Sequence, residues 1–318
     1  MNIALTTDNK FIPHCITTIC SICENNIEAD ITFYIIHNGL NIATQNIFTN
    51  FINKYKNKKI EFYLFPEHLL KDFPVYQEGQ PQHISLATYY RLFITKFLPE
   101  NIDKLIYLDC DIIVRKSLKE LWDIKIDNYS IAAAPDRDTY QISNFNRLKY
   151  DYRKGYFNAG VLLINLKKWR EENFYDKFLD FVENHKDRIL YHDQDVLNFI
   201  CQDSKLNLSL SYNLQPGFLR NEIPLFYTEW DELFSFENDP VIVHYSESFK
   251  PWKKYTKHPY AFEYFKYRCL TPFPILKLEN HKLTVKENLK MILSKFKICK
   301  PPIEEKEFRK ITFKNSNT

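Results

Sequence analysis

The sequence predicts an α/β fold: a mainly parallel central sheet flanked by helices. Three observations predict it. Short apolar runs alternate with amphipathic stretches through the first half of the chain, as in successive βαβ units. Asp8, Asp109, Asp111 and Asp136 each fall where a predicted strand gives out, and functional groups in parallel sheets collect beyond the carboxyl ends of strands. Finally, 318 residues with 45% hydrophobic content supply a substantial core.

Taken in order, NIALTT is a predicted strand, HCITTICSIC a helix, and ITFYIIHNG a strand. IATQNIFTNFINKY then reads as a helix and KIEFYLF as a strand. A looser segment carrying Pro66, Pro74, Gly79 and Pro81 leads into SLATYYRLFITKFL, predicted as one helix stopped before Pro99. The strand KLIYLDCDIIV follows, then YSIAAAPD. Further on, YFNAGVLLINLKKWR reads as strand then helix, FYDKFLDFVENH and DQDVLNFICQ as helices, and DPVIVHYSESFKPW as containing a strand that ends near His244. No repeat and no low-complexity segment interrupts the series.

Composition excludes several functions. Five glycines, none clustered, leave no room for GxGxxG or a Walker loop, so a bound diphosphate needs another neutralising device, most simply a metal. A net charge of +3 gives no case for a nucleic-acid partner. No apolar run approaches the ~20 residues needed to span a bilayer. The opening MNIALTTDNK lacks a secretory pattern, and the seven cysteines are odd in number and irregular in spacing. Free thiols in a reducing, cytoplasmic setting are therefore expected. Cys20 and Cys23 form a CxxC, but they share a helical face with Ile16 and Ile19. A buried helix is the plainer reading than a metal or redox site.

The pair Asp109 and Asp111 is the sharpest signal. Residues two apart on a strand point to one side, which would turn Cys110 into the core and bring the two carboxylates together. Such a pair is costly unless a cation lies between them, and hard divalent ions accept carboxylate oxygens while still binding phosphate. A pair of aspartates capping a turn is the plain alternative.

The strings YLDCDIIVRKSLKELWDI, YFNAGVLLINLKKWR, YHDQDVLN and HYSESFKPW together resemble glycosyltransferase family 8 over roughly residues 1–255. That family includes the lipooligosaccharide galactosyltransferases of Gram-negative bacteria. The resemblance implies a GT-A-type, Rossmann-like catalytic domain over residues 1–270 and a retaining transfer of galactose or glucose from a UDP-sugar to a saccharide hydroxyl. It makes Asp109, Asp111 and His244 the ligands of Mn²⁺, with Mg²⁺ as the alternative ion. Lys250 becomes the cation on the diphosphate, and Asp8 with Phe11 part of the uridine pocket. Cys110 lies within the donor motif. Arg91, Asp136, Asn158, Ala159, Asp193 and Gln194 surround the donor sugar, where a mismatched hydroxyl would leave a polar group unpaired.

Plainer roles are open to several of these. Arg91 can be a structural ion pair, Asp193 an N-cap for a helix beginning near Asp195, Asn158 a turn before a strand, and Lys250 a solvated loop charge. Two departures from the family pattern stand out. Glu247 replaces a glycine near the phosphates, where an acid repels the diphosphate unless it points away. Lys10 and Phe11 replace an Asn-Tyr pair. Among Lys250, Asp193 and Gln194 as catalytic candidates, Gln194 and its neighbour Asp195 are the nearest to a nucleophile. A front-face attack needs neither, since the departing diphosphate takes the acceptor's proton. The competing functions are a haloacid-dehalogenase-like phosphatase and a non-catalytic sugar-nucleotide-binding homologue.

Residues 271–318 read as a basic, partly helical tail. Lys282, Lys286, Lys290, Lys295, Lys297 and Lys300 face Glu287 alone, while Val285, Leu289, Ile292, Leu293 and Phe296 share one helical face. Such a helix either lies on an anionic membrane, presenting the enzyme to a lipid-linked acceptor at the inner face of the cytoplasmic membrane, or docks on the domain. Beyond Pro301 the chain is expected to fray.

Overall fold

In a computed structural model the described residues are 1–74, 86–220, 227–273, 278–280, 285–295, 298, 300 and 305–311. Gly79, Pro81, Lys282, Phe296, Lys297 and Pro301, named above, lie outside them, as does Cys299, one of the seven cysteines.

Nine described strands build two sheets. They are β1 (Asn2–Thr7), β2 (Ile31–His37), β3 (Lys58–Leu64), β4 (Lys104–Leu108), β5 (Ile112–Val114), β6 (Ile131–Pro135), β7 (Phe157–Asn165), β8 (Lys205–Asn207) and β9 (Ile242–His244). Seven of them lie in the order β3-β2-β1-β4-β7-β6-β8. Within this sheet the pairings are parallel except those of β7, which runs against both β4 and β6. Helices cover both faces, so most strands are buried on both sides and read as continuous apolar runs. Along β4 the side chains alternate between two cores: Ile106 and Leu108 enter one, Leu105 and Tyr107 the other.

The helix Ile12–Asn25 packs against the first core with Cys15, Cys20 and Cys23 buried. Burial pushes the Cys20 thiol up to about 12, as suits a packing residue rather than a ligand. The plainer reading of the CxxC holds.

Three expectations need correction. KLIYLDCDIIV is not one strand. Asp109 N still bonds Gly160 O of β7, but the chain then turns at Cys110 and Asp111, and β5 pairs with β9 in a separate two-stranded ribbon. The break is tolerated because the helix Ile12–Asn25 satisfies it: Thr18 Oγ1 lies 2.8 Å from Ile112 O, and Ser21 Oγ accepts from Val114 N. Second, SLATYYRLFITKFL is largely a 3₁₀ helix over Leu86–Phe93, becoming α-helical only at Ile94–Phe97. Three-residue winding stacks Thr88 under Arg91, whose Nε donates to Thr88 O at 3.0 Å. Third, the chain does not fray throughout beyond Pro301. Glu305 is only 2% exposed, Phe308 packs on the first core, and Arg309 N bonds Leu219 O.

Candidate active site

The carboxyl ends of β1, β4 and β6 open into a cavity of about 470 Å³. Every residue singled out as a site candidate lines it: Asp8, Phe11, Arg91, Asp109, Cys110, Asp111, Asp136, Asn158, Ala159, Asp193, Gln194, His244 and Lys250. Seven carboxylates but only three lysine or arginine side chains line this wall. A dianionic diphosphate entering such a space needs an added cation.

The crossover from β4 to β5 puts the two aspartates on one point by a route other than strand periodicity. Asp109 Oδ1 accepts from Arg91 Nη2 at 2.7 Å and Tyr107 Oη at 3.0 Å, which leaves Oδ2 facing inward. Asp111 Oδ2 accepts from Lys250 Nζ at 2.5 Å, leaving Oδ1 3.2 Å from His244 Nε2. Ile112 pairs directly with His244 across the ribbon, so β9 delivers the imidazole to the carboxylates. The three ligand atoms lie within 4.8 Å of one another.

A chain of amides settles which imidazole nitrogen carries the proton. Asn158 Oδ1 accepts from the backbone N–H of Gly160, which can only donate. The same Oδ1 therefore receives Asn213 Nδ2, and Asn213 Oδ1 accepts from His244 Nδ1 at 2.9 Å. With Nδ1 turned to Asn213, Nε2 is the nitrogen that faces the two carboxylates and can offer its lone pair to a divalent cation. Gly160 supplies the space: a Cβ there would sit 2.2 Å from His244 Cε1 and 2.9 Å from Asp109 Oδ2. The donor set fits a hard divalent ion.

Burial works to raise the Asp111 carboxyl, but Lys250 and His244 outweigh it and hold the group well below the usual range. Lys250 is 5% exposed and donates to Tyr245 O as well, so it is not a solvated loop charge.

Asp136, Asn158, Ala159 and Gln194 form their own network. Asp136 Oδ2 accepts from Asn158 Nδ2 at 2.9 Å and Gln194 Nε2 at 3.3 Å, while Gln194 Oε1 accepts from Ala159 N at 3.0 Å. Asn158 lies within β7 rather than in a turn before it. Asp193 does not cap its helix, which begins at His192 behind Tyr191. It instead binds Thr88 Oγ1 and lies 2.9 Å from Arg91 Nε. Arg91 thus joins the two halves of the site, since Nη1 also donates to Ala159 O at 2.5 Å. Asp195 is wholly buried, accepting from Arg147, Tyr156 Oη, Leu190 N and Tyr191 N, and does not line the cavity.

Glu247 lines the cavity but is not an unpaired acid. Arg220 grips its carboxylate with two donors at 2.6 and 2.8 Å, and Arg137 adds a third at 2.8 Å. Beyond β1, Asp8 Oδ1 caps the turn, accepting from Lys10 N and Phe11 N, and Phe11 meets His14 and Trp252 edge-on. Arg137, Asn213 and Gly160 were not among the sequence candidates. Gly160 sat inside a motif already quoted, whereas Asn213 carried no local signal.

The glycosyl transferase family 8 model matches residues 2–256. The chain belongs to glycosyl transferase family 8. Membership makes it a glycosyltransferase and sets aside the phosphatase alternative. General stress protein A of Bacillus subtilis is 29% identical over 277 residues, covering 85% of this chain and 94% of that protein. Lipopolysaccharide 1,2-glucosyltransferase of Escherichia coli is 29% identical over 268 residues, covering 83% and 76%. Among solved structures, galactosyltransferase LgtC in complex with donor and acceptor sugar analogues superposes with a TM-score of 0.78 at 25% identity, covering 87% of this chain and 98% of that one. The family's GT-A architecture is the α/β arrangement described above. The Asp-Asp-His cluster lies in the family-matched region and offers a divalent metal three ligands.

Proposed function

We propose that the protein is a retaining hexosyltransferase that moves galactose or glucose from a UDP-sugar to a hydroxyl of a saccharide acceptor, in lipopolysaccharide, lipooligosaccharide or other surface-glycan synthesis. The observation that carries this is the convergence of Asp109 Oδ2, Asp111 Oδ1 and His244 Nε2 beside Lys250 at the strand ends. The glucosyltransferase and galactosyltransferase relatives support a hexose donor.

Asp109, Asp111 and His244 would hold Mn²⁺, or Mg²⁺. When bound, such an ion neutralises a diphosphate and stabilises it as a leaving group. Lys250 has three N–H donors, two of which go to Asp111 and Tyr245 O, and the third can donate to a phosphate oxygen. Asp8 and Phe11 would receive the uridine, and Cys110 completes the wall beneath it. Arg91, Asp136, Asn158, Ala159, Asp193 and Gln194 would exchange their mutual hydrogen bonds for sugar hydroxyls. Gln194 is an amide held on both sides, and Asp195 is enclosed, so neither is disposed as a carboxylate nucleophile beneath the anomeric carbon. A front-face reaction follows, in which the acceptor's proton passes to the departing diphosphate oxygen.

No helix among the described residues is long and apolar enough to cross a membrane. The tail helix Val285–Lys295 exposes Leu289 at 57% and Ile292 at 53%, beside Lys286 and Lys290. These support a cytoplasmic enzyme held peripherally at the inner membrane face, where a lipid-linked acceptor is presented.

UDP release with Mn²⁺ and a panel of UDP-sugars tests the reading, with Asp109→Ala as control. Metal-dependent release from one donor, lost in the variant, names the sugar. If no donor releases UDP, the non-catalytic binding homologue replaces this reading.

A further inference from the structure

Residues 305–311 lie well beyond the family match, which ends at residue 256, yet Phe308 and Ile311 pack on the first core. Arg309 N donates to Leu219 O at 2.9 Å, and its Nη1 donates to Arg220 O at 2.8 Å. The Arg309 guanidinium is itself anchored by Glu237 and by the rings of Trp230 and Phe234. The Phe308 ring supports the Arg220 guanidinium from 4.7 Å and meets His258 edge-on at 5.4 Å. Glu305 takes the backbone N–H of Lys257.

Arg220 is thus held at both ends of the residue, its carbonyl by Arg309 and its guanidinium face by Phe308. Only 5% exposed, it directs both terminal nitrogens at Glu247. Glu247 belongs to the segment that carries Lys250 and, through Arg137, ties that segment to the strand end bearing Asp136. A buried bidentate pair supported by an aromatic face is rigid in a way that a solvated loop is not.

We propose that residues 305–311 are a clasp that positions the Glu247–Lys250 loop through Arg220, so that binding of the sugar nucleotide depends on the C-terminal end of the chain. This rests on the donor site assigned above. Phe308 and Arg220 are positioning residues: they act on the donor through Glu247 and Lys250.

The experiment uses the full chain with Phe308→Ala, Phe308→Tyr and Arg220→Lys. Phe308→Ala is expected to raise the donor KM roughly tenfold, in keeping with the cost of small misplacements at a distance, while kcat changes far less. Phe308→Tyr keeps the ring and restores the KM. Arg220→Lys keeps the charge without the fork and does not. A merely structural role would lower the active fraction and leave KM unchanged.

Hydrogen–deuterium exchange of the ligand-free protein reads the same clasp without any donor. Peptides covering residues 243–253 should exchange faster in Phe308→Ala, while those covering β2 stay unchanged. Unaltered KM together with unaltered exchange overturns the clasp. If the parent protein turns over no donor, the proposed function fails, and the exchange comparison alone decides the clasp.

Discussion

Asp111 and Asp193 face the same cavity, each beside a buried cation, and end on opposite sides of the ordinary carboxylate range. Asp111 is held low because Lys250 and His244 both favour its charge and Lys250 bonds it directly. Asp193 is pushed up to about 6: burial dominates, and the Arg91 beside it is shared with Asp109. The difference separates two kinds of corner. At the proposed metal corner each carboxylate has one oxygen tied down and one left for a cation. At the other corner, proposed above to receive the sugar and called the sugar corner below, Asp136, Asn158 and Gln194 satisfy one another through neutral amides, and such hydrogen bonds exchange readily for hydroxyls.

The largest effect comes from filling the metal corner. Gly160→Ala places a Cβ against His244 and Asp109, so a ligand has to move. Donor turnover should fall at least ~100-fold, given that ~1 Å misplacements cost about that much. The sugar corner should survive in outline, because Gly160 keeps its backbone bond to Asn158. Far-UV circular dichroism and metal-dependent UDP release check the two halves. Full activity in Gly160→Ala would mean that the three ligand atoms do not act together.

A smaller effect probes the link between the corners. Asn213→Leu removes the acceptor that fixes the His244 proton on Nδ1. Such outer partners are worth about 10–100-fold in metal affinity, so the Mn²⁺ concentration for half-maximal turnover should rise by that factor. Donor KM measured at saturating Mn²⁺ should change little. A change confined to donor KM would assign Asn213 to the sugar corner instead.

The two carboxylates of the metal corner were legible from residue types, since Asp109 and Asp111 are unusual additions to an apolar run, whereas His244 entered as a ligand only through the family resemblance. The corner's geometry was not legible. KLIYLDCDIIV looks uniform along the chain, and its break is stabilised by Thr18 and Ser21, 94 and 93 residues from their partners. FNAGVLLIN is buried on both faces, so its reversed direction left no alternation to read. Glu247 looked repulsive because its partners Arg220 and Arg137 stand 27 and 110 residues away. Asn213 was invisible for the same reason. Residue identity carried the chemistry, while long-range pairing carried the orientation and the charge balance.

The smallest effect tests the Asp111–Asp193 contrast through pH. A carboxyl raised from its ordinary value of 3.8 to about 6 binds its proton in the folded state first. Between those values the folded protein holds one more proton at this position than the unfolded chain does. Stability from this residue therefore grows as pH falls through 6 and levels off near the unfolded value; it is lost again as pH rises through 6. Asp193→Asn removes the titration. The stability difference, parent minus variant, should thus increase by roughly 1 kcal/mol per pH unit from pH 6 toward pH 4 and stay flat from 7 to 8. Urea unfolding of the metal-free proteins across that range reads the slope. A difference that shrinks on acidification would place Asp193 with Asp111, as a carboxylate whose charge the fold favours, and the division into two corners would fail.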